Sequence, residues 1–473
     1  MSFSLFYNRL KTIPAFKLII LGVCLAVFLS PSGSSADDAI AGGSNDAATV
    51  AVTFLWIAAL LMLAKISSLI ERIGQPAVLG ELLIGVAIGS LPLIGTHFFE
   101  PIKSSGVIHF LAELGVVILL FQIGMESSVQ TMMKVGVPSF LVACVGVILP
   151  FVATTYFIGP LLAPGLPSTA YLFLGATLTA TSVGITARVL KDINKSTTTE
   201  ARTIIGAAVI DDVLGLIILA VVSAIVLEGS IDATKLSIIL IKAIVFLVGG
   251  LFLGTWLAPR LSLVFSKIHT GVGMKFALVI SFGLVFSYLA SVVGLAPIVG
   301  AFTAGLILTP VYFKQFSNPP FVEDILGAVN EEPLSAGFRE KLDSIIENHS
   351  HKHIEEFAAH LGHFLIPIFF VLTGMQVKID TLFDLNVLFM TLGIFIVAVV
   401  TKVLAGYVAG KSMNRLAVGI GMVPRGEVGL IFANMGKSLG VMNDTVFSAM
   451  VVVIMATTLI TPPMLAVVFK KIR

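Results

Sequence analysis

Charge is scarce in this sequence. Of 473 residues only 12% are Asp, Glu, Lys or Arg, while 57% are apolar. Soluble domains carry about 25% charged residues, so a soluble fold would have no means of hiding this much apolar side chain. With 29 basic and 27 acidic residues the net charge is +2, which excludes the basic footprint of a nucleic-acid binder. Cysteine is rarer still: Cys24 and Cys144 both lie in apolar runs, which excludes a disulfide framework or a thiolate metal cluster. No GxxxxGK[ST] phosphate loop occurs, so nothing points to nucleotide-driven work.

What is present is a succession of long apolar segments. Arg9, Lys11 and Lys17 precede a short apolar run, Leu18 to Leu29, and a small-residue stretch ending at Ala36. This is the pattern of a secretory signal peptide over 1–36. From residue 48 onward thirteen segments of membrane-crossing character follow: 48–68, 76–97, 107–126, 135–159, 168–190, 202–228, 235–258, 274–294, 295–313, 356–376, 385–409, 414–438 and 445–469. In lipid every backbone polar group must be paired within its own segment, so each is expected to be helical. Lys and Arg concentrate in alternate loops, among them Arg72, Lys134, Arg188, Lys191, Arg260 and Lys411, and again at Lys470, Lys471 and Arg473. That asymmetry places these loops and the C-terminus in the cytoplasm, and the N-terminus outside after signal cleavage. The fold class predicted is an all-α polytopic membrane protein, organised as 48–228 (six helices), a linking helix 235–258, and 274–469 with a polar cytoplasmic loop at 314–355.

Against this background the ionisable residues inside apolar segments stand out, because each is costly there and functional by default. Asp211 and Asp212 sit together in the middle of the sixth segment. Neighbouring helix positions diverge by about 100°, so the two carboxylates face different partners and cannot share one proton. Lys402, inside the eleventh segment, calls for a carboxylate partner, for which Asp211 or Asp212 is the natural choice. Lys242, close enough to a helix end to snorkel, reads as unremarkable, and Glu81 and Glu113 read as structural. Two segments are poor helix material. The fifth contains Thr177, Thr179, Thr181, Ser182, Gly184 and Thr186, and the twelfth reads Gly419-Ile-Gly421-Met-Val-Pro424-Arg425-Gly426-Glu427. They hold the same rank in two six-helix units of opposite orientation, which predicts an inverted repeat with two crossed, broken helices at mid-membrane. Unwound carbonyls and Thr or Ser hydroxyls there suit a bare monovalent cation, and Arg425 and Glu427 suit the dipole ends of an interrupted helix.

The motifs Gly74-Gln-Pro-Ala-Val-Leu-Gly80-Glu81, Leu111-Ala-Glu113-Leu-Gly, Thr179-Ala-Thr181-Ser182-Val-Gly184, Ile210-Asp211-Asp212, Thr401-Lys402 and Pro424-Arg425-Gly426-Glu427 together resemble the monovalent cation:proton antiporter-2 family, the bacterial sodium/proton and Kef-like exchangers. The resemblance runs from the second segment to the twelfth. It implies a transporter, not an enzyme, in the bacterial inner membrane, with a six-helix core domain moving against a domain that forms a homodimer. By similarity Asp212 would bind Na⁺ or a proton in alternation, Asp211 would pair with Lys402, and Thr181 and Ser182 would lie near the ion. An Asp-Asp pair with Lys is the electrogenic pattern. The only ligands implied are the transported Na⁺ or K⁺ and H⁺, with no cofactor and no nucleic-acid partner. The nucleotide-binding domain of the Kef branch, which would follow the last segment, is not expected here.

Five of the eight histidines fall between His349 and His363. They read as a cytoplasmic pH sensor or as a metal site through His349, His351 and His353, with a solvated linker as the plain alternative. The mechanism expected is competition: one carboxylate holds either a proton or a dehydrated Na⁺, so loading one ejects the other. The competing readings are a K⁺/H⁺ antiporter, a Kef-like K⁺ efflux channel, for which no TVGYG-type filter occurs, and an intramembrane aspartyl protease, for which no GxGD motif occurs.

Overall fold

A computed structural model describes residues 46–73, 75–126, 136–193, 195–196, 198–228, 233–308, 316 and 358–470. Every regular element among them is helical. In chain order these are α1 (Asp46–Ser67), α2 (Ala77–Gly89), α3 (Gly106–Glu126), α4 (Val137–Val152, extended by a π-helical stretch Ala153–Ile158), α5 (Ser168–Thr179), α6 (Val183–Asp192), α7 (Thr199–Glu228), α8 (Ala233–Ile268), α9 (Val272–Val293) and α10 (Pro297–Ile307). There follow α11 (Ala358–Met375), α12 (Leu385–Ala405), α13 (Arg415–Gly421), α14 (Glu427–Ser438) and α15 (Asp444–Lys470). Among the described residues ten helical stretches are long and apolar enough to cross a membrane. Two shorter apolar helices, Ala77–Leu93 and Pro297–Ile307, and the interrupted pair α13–α14 occupy the remaining predicted segments. The signal segment 1–36, most of the loop 314–355 and His349, His351 and His353 lie outside the described residues.

The chain divides into two compact units. One comprises residues 1–115, 364–388 and 444–451. Within it α2 and α11 touch backbone to backbone: a Cβ on Gly85 would run into the Val371 carbonyl, and one on Gly374 into the Leu82 carbonyl. Small residues permit this close approach, which in lipid supplies the dispersion contacts that replace a hydrophobic drive. Glu81 on α2 is buried in this unit, whereas Glu113 on α3 is exposed. After α11, Lys378 Nζ pairs with Asp444 at 2.7 Å, and the Lys378 N–H donates to the Ser448 hydroxyl at 2.8 Å.

The other unit comprises residues 116–363, 389–443 and 452–473. Here α5 packs against α4, α7 and α14, while α10 packs against α8 and α9. Gly300 brings α10 onto the Phe286 carbonyl of α9. A tight apolar cluster, including Ala201, Ile204, Ala208, Val418 and Met422, seats α13 against α7. Lys242 on α8 is exposed, in keeping with an unremarkable role.

Candidate functional site

Two helices in this unit are interrupted, and sequence explains both breaks. The chain leaves helix after Thr179, runs extended through Ala180 to Ser182, and re-enters helix at Val183. Ser182 is the N-cap of α6; its hydroxyl accepts the Ile185 N–H at 3.5 Å, the usual work of a Ser at that position. The second helix stops at Gly421 and resumes at Glu427. Pro424 lies in that gap, where it lacks an N–H and disfavours helix at the residue before it. Gly426 leaves no alternative: a Cβ there would sit 2.7 Å from the Ser182 hydroxyl oxygen.

The two breaks are laced together. The Ser182 N–H donates to the Pro424 carbonyl at 2.8 Å. The Thr181 hydroxyl donates to the Met422 carbonyl at 3.2 Å, and that of Thr186 to the Gly421 carbonyl at 2.7 Å. The Arg425 guanidinium donates to Val423 O at 2.9 Å and to Leu178 O at 3.0 Å. Thr458 on α15 donates its hydroxyl to the Arg425 carbonyl. Carbonyls freed at helix C-termini and in the gap between helices need donors, and each donor named here meets one.

The charged groups gather at this crossing. Lys402 on α12 donates its ammonium to Asp211 Oδ1 at 3.0 Å and to the Thr179 carbonyl, the last residue of α5. Both partners of the ion pair are fully buried. Gly146 on α4 faces that ammonium, leaving it room. So Lys402 and Arg425 together cover the C-terminal carbonyls of α5, where the helix dipole concentrates negative charge. Glu427 opens α14, where a negative side chain is favoured, and Ser182 donates its hydroxyl to Glu427 Oε2 at 3.3 Å. Asp212 is 3% exposed. Its Oδ1 is a buried oxygen with no hydrogen-bond partner in the protein.

The structure thus brings Thr181, Ser182, Asp211, Asp212, Lys402, Arg425 and Glu427 into one neighbourhood. It resolves the alternative left by sequence, giving Lys402 to Asp211. Thr458 and the Thr179 and Leu178 carbonyls belong to the same neighbourhood. The sequence pointed to unwound carbonyls in the fifth segment but not to which ones or to their cationic partners, and Thr458, in an ordinary Thr-containing helix, was not singled out. Among the described residues no group of three or more His, Cys, Asp or Glu side chains forms a metal site.

Interrupted membrane helices crossing beside buried, incompletely paired carboxylates define a secondary ion transporter. The chain belongs to the sodium/hydrogen exchanger family, whose transmembrane model matches residues 57–330 and 334–471. It is 34% identical over 434 residues to the high-affinity Na⁺/H⁺ antiporter NhaS3 of Synechocystis sp., covering 84% of this chain and 86% of that protein. It is 31% identical to the Na⁺/H⁺-K⁺ antiporter GerN of Bacillus cereus (88% of this chain, 96% of that one). To a Na⁺/H⁺ antiporter of Enterococcus hirae it is 30% identical (89% and 99%). The fold matches that of the sodium proton antiporter MjNhaP1 from Methanocaldococcus jannaschii with a TM-score of 0.59 at 16% identity, over 88% of this chain and 97% of that one.

Proposed function

We propose that this protein exchanges Na⁺ for H⁺ across a bacterial inner membrane, with Asp212 as the carrier carboxylate. The observation that carries this reading is the Asp212 oxygen: buried, without a protein partner, and beside an ion pair that already occupies Asp211. Three carboxylates at the crossing face two cationic side chains, so with all five ionised the site lacks one positive charge. A proton or one monovalent cation supplies it, and a single carboxylate cannot hold both at once. Loading either therefore ejects the other, and a site that changes face only when neutralised couples the two gradients without ATP or a resident cofactor. The Thr181 and Ser182 oxygens beside the carboxylates suit a partly dehydrated cation. The Asp211–Lys402 pair carries the further charge that makes exchange electrogenic, because loosening it changes the proton count per cycle. In this reading the protein works as a homodimer, with its N-terminus outside after signal cleavage and its C-terminus in the cytoplasm. Relatives named as Na⁺/H⁺ antiporters favour Na⁺ over K⁺ as the main cargo.

Asp212→Asn removes the exchangeable charge while keeping shape. In proteoliposomes with an entrapped pH dye, it is expected to abolish Na⁺-, Li⁺- and K⁺-driven proton movement; normal exchange by this variant would overturn the assignment.

A further inference from the structure

α4 does not end as an ordinary helix. The Gly159 N–H donates to the Thr154 carbonyl, five residues back instead of four. Pro160, with no N–H, gives nothing back to the Tyr156 carbonyl. Single π turns of this kind are rare and recur at functional sites. α5 is pinned to this stretch: the Thr155 hydroxyl donates to the Tyr171 carbonyl at 3.2 Å, and a Cβ on Gly175 would run into that hydroxyl. Between the pinned pair and α7 and α8 lies a cavity of about 510 Å³. Phe151 and Leu172 line it from α4 and α5, and Ile218, Val221 and Ile225 from α7. Thr155 and Ile225 are each 5% exposed, whereas Tyr156 of α4 and Leu240 of α8, also along it, are 64% and 40% exposed. The cavity therefore has a buried floor and an open mouth. Its buried polar side chains are already paired: Thr155 as above, and the Tyr171 hydroxyl, which donates to the Ala163 carbonyl at 2.8 Å and accepts the Leu166 N–H at 3.2 Å. Ser168 and Tyr156 are exposed.

We propose that this cavity is a lipid site that holds one acyl chain of the surrounding bilayer. Water gains nothing there, because an apolar cavity without free polar partners stays dry. A void forfeits the dispersion contacts of its lining. Hydrocarbon restores them, and it is at hand: Phe157 on α4 and Ile241 on α8, 66% and 58% exposed, belong to apolar membrane-spanning surface. Such surface faces lipid tails, so a chain enters without crossing water. The volume falls within the range of about 300–1,000 Å³ usual for small-ligand pockets. At roughly 30 Å³ for a group the size of a water molecule, a methylene included, it has room for most of an acyl chain. Ile218 lies about two helical turns beyond Asp212, so the site is separate from the ion crossing and does not depend on the antiport reading.

The probe is a phosphatidylcholine with a diazirine on one acyl chain, a minor component of dioleoylphosphatidylcholine vesicles holding the full chain. One sample is irradiated in the vesicle and another after extraction into detergent, and adducts are mapped by peptide mass spectrometry. Extraction strips lipid that merely surrounds the protein. Adducts at Leu172, Ile218 and Val221 are expected to survive it, while those at Phe252, 74% exposed on α8, form only in the vesicle. Val221→Phe and Ile218→Trp fill the cavity and are expected to cut the retained adducts about tenfold, with Tm and the vesicle adducts at Phe252 unchanged. Retained label no stronger at the cavity than at Phe252 overturns the proposal and leaves only surrounding lipid. Retained label at the walls that both filling variants leave undiminished overturns it too. Native mass spectrometry of the extract reads the occupant. A bound phospholipid mass agrees, whereas a lipid-free dimer with unlabelled walls assigns the cavity to a second copy of the chain and overturns the lipid site. Should neither variant fold, the wild-type adduct map decides by itself.

Discussion

Two Lys–Asp pairs in this molecule use the same chemistry in opposite settings. Lys402 and Asp211 meet at 3.0 Å with neither side chain exposed, and Lys378 and Asp444 meet at 2.7 Å with 55% and 38% of their side chains exposed. The shorter distance belongs to the weaker constraint. Around Lys378 water and ions screen each charge and remain available to replace its partner, so the pair contributes little. Around Lys402 no water screens the charge, and Asp211 is the carboxylate in direct contact with it, so each partner makes the other tolerable. The buried pair is better understood as a mutual obligation than as a stabilising bond. That is useful in a transporter, because protonation or a cation can take one partner's place.

The largest expected effect comes from breaking that obligation on one side. Asp211→Ala removes the carboxylate in contact with the buried Lys402 ammonium, leaving it hydrogen-bonded to the Thr179 carbonyl, and should destabilise the protein by roughly 3–5 kcal/mol, read as the steepest fall in Tm among these variants. Asp211→Asn combined with Lys402→Gln leaves neither charge alone and should recover most of that loss while changing the charge moved per cycle; a double variant as unstable as the single one would refute the argument. An intermediate effect is expected from Thr458→Val. It removes a neutral donor at the same depth and leaves the Arg425 carbonyl unsatisfied, costing about 1–3 kcal/mol in thermal or denaturant unfolding. The smallest belongs to Lys378→Met, about 0.5 kcal/mol or less. The hydrogen bond and charge of Asp444 hold the Lys378 ammonium above its ordinary pKa, with partial burial opposing. A raised pKa contributes stability that is fully present below the unfolded value, about 10.4, and disappears as pH rises through the folded one. The difference between wild type and Lys378→Met should therefore be constant while pH stays well below the ordinary lysine value and fade as pH rises through the raised one; a difference that grows with pH would contradict this origin.

Much of the site was legible because its residue types are rare in such a chain. Asp211, Asp212 and Lys402 are conspicuous in apolar segments, and Pro424, Gly426 and the Thr-rich run at 177–186 mark where helix fails. Helical character was legible from run length alone. The rest depends on partners that composition does not encode. Glu81 and Glu113 occupy similar Gly-containing surroundings in sequence, yet one is buried and the other exposed, because a helix's neighbours decide which of its faces is covered. Lys402 had two eligible carboxylates one residue apart, and only rotation about the helix axis selects between them. Arg425 was expected at a dipole end of an interrupted helix. The carbonyl it reaches on the opposite helix, Leu178, lies 247 positions away and is invisible to any local pattern.

The carbonyls at the end of α5 have a consequence for how such a protein can diverge. The oxygens of Leu178 and Thr179 receive Arg425 and Lys402, and no codon change deletes a main-chain oxygen. Side chains around the crossing are open to replacement one at a time. Half of the cations' surroundings is instead inherited with the break in the helix, and is lost only if the chain closes the gap and becomes continuous there.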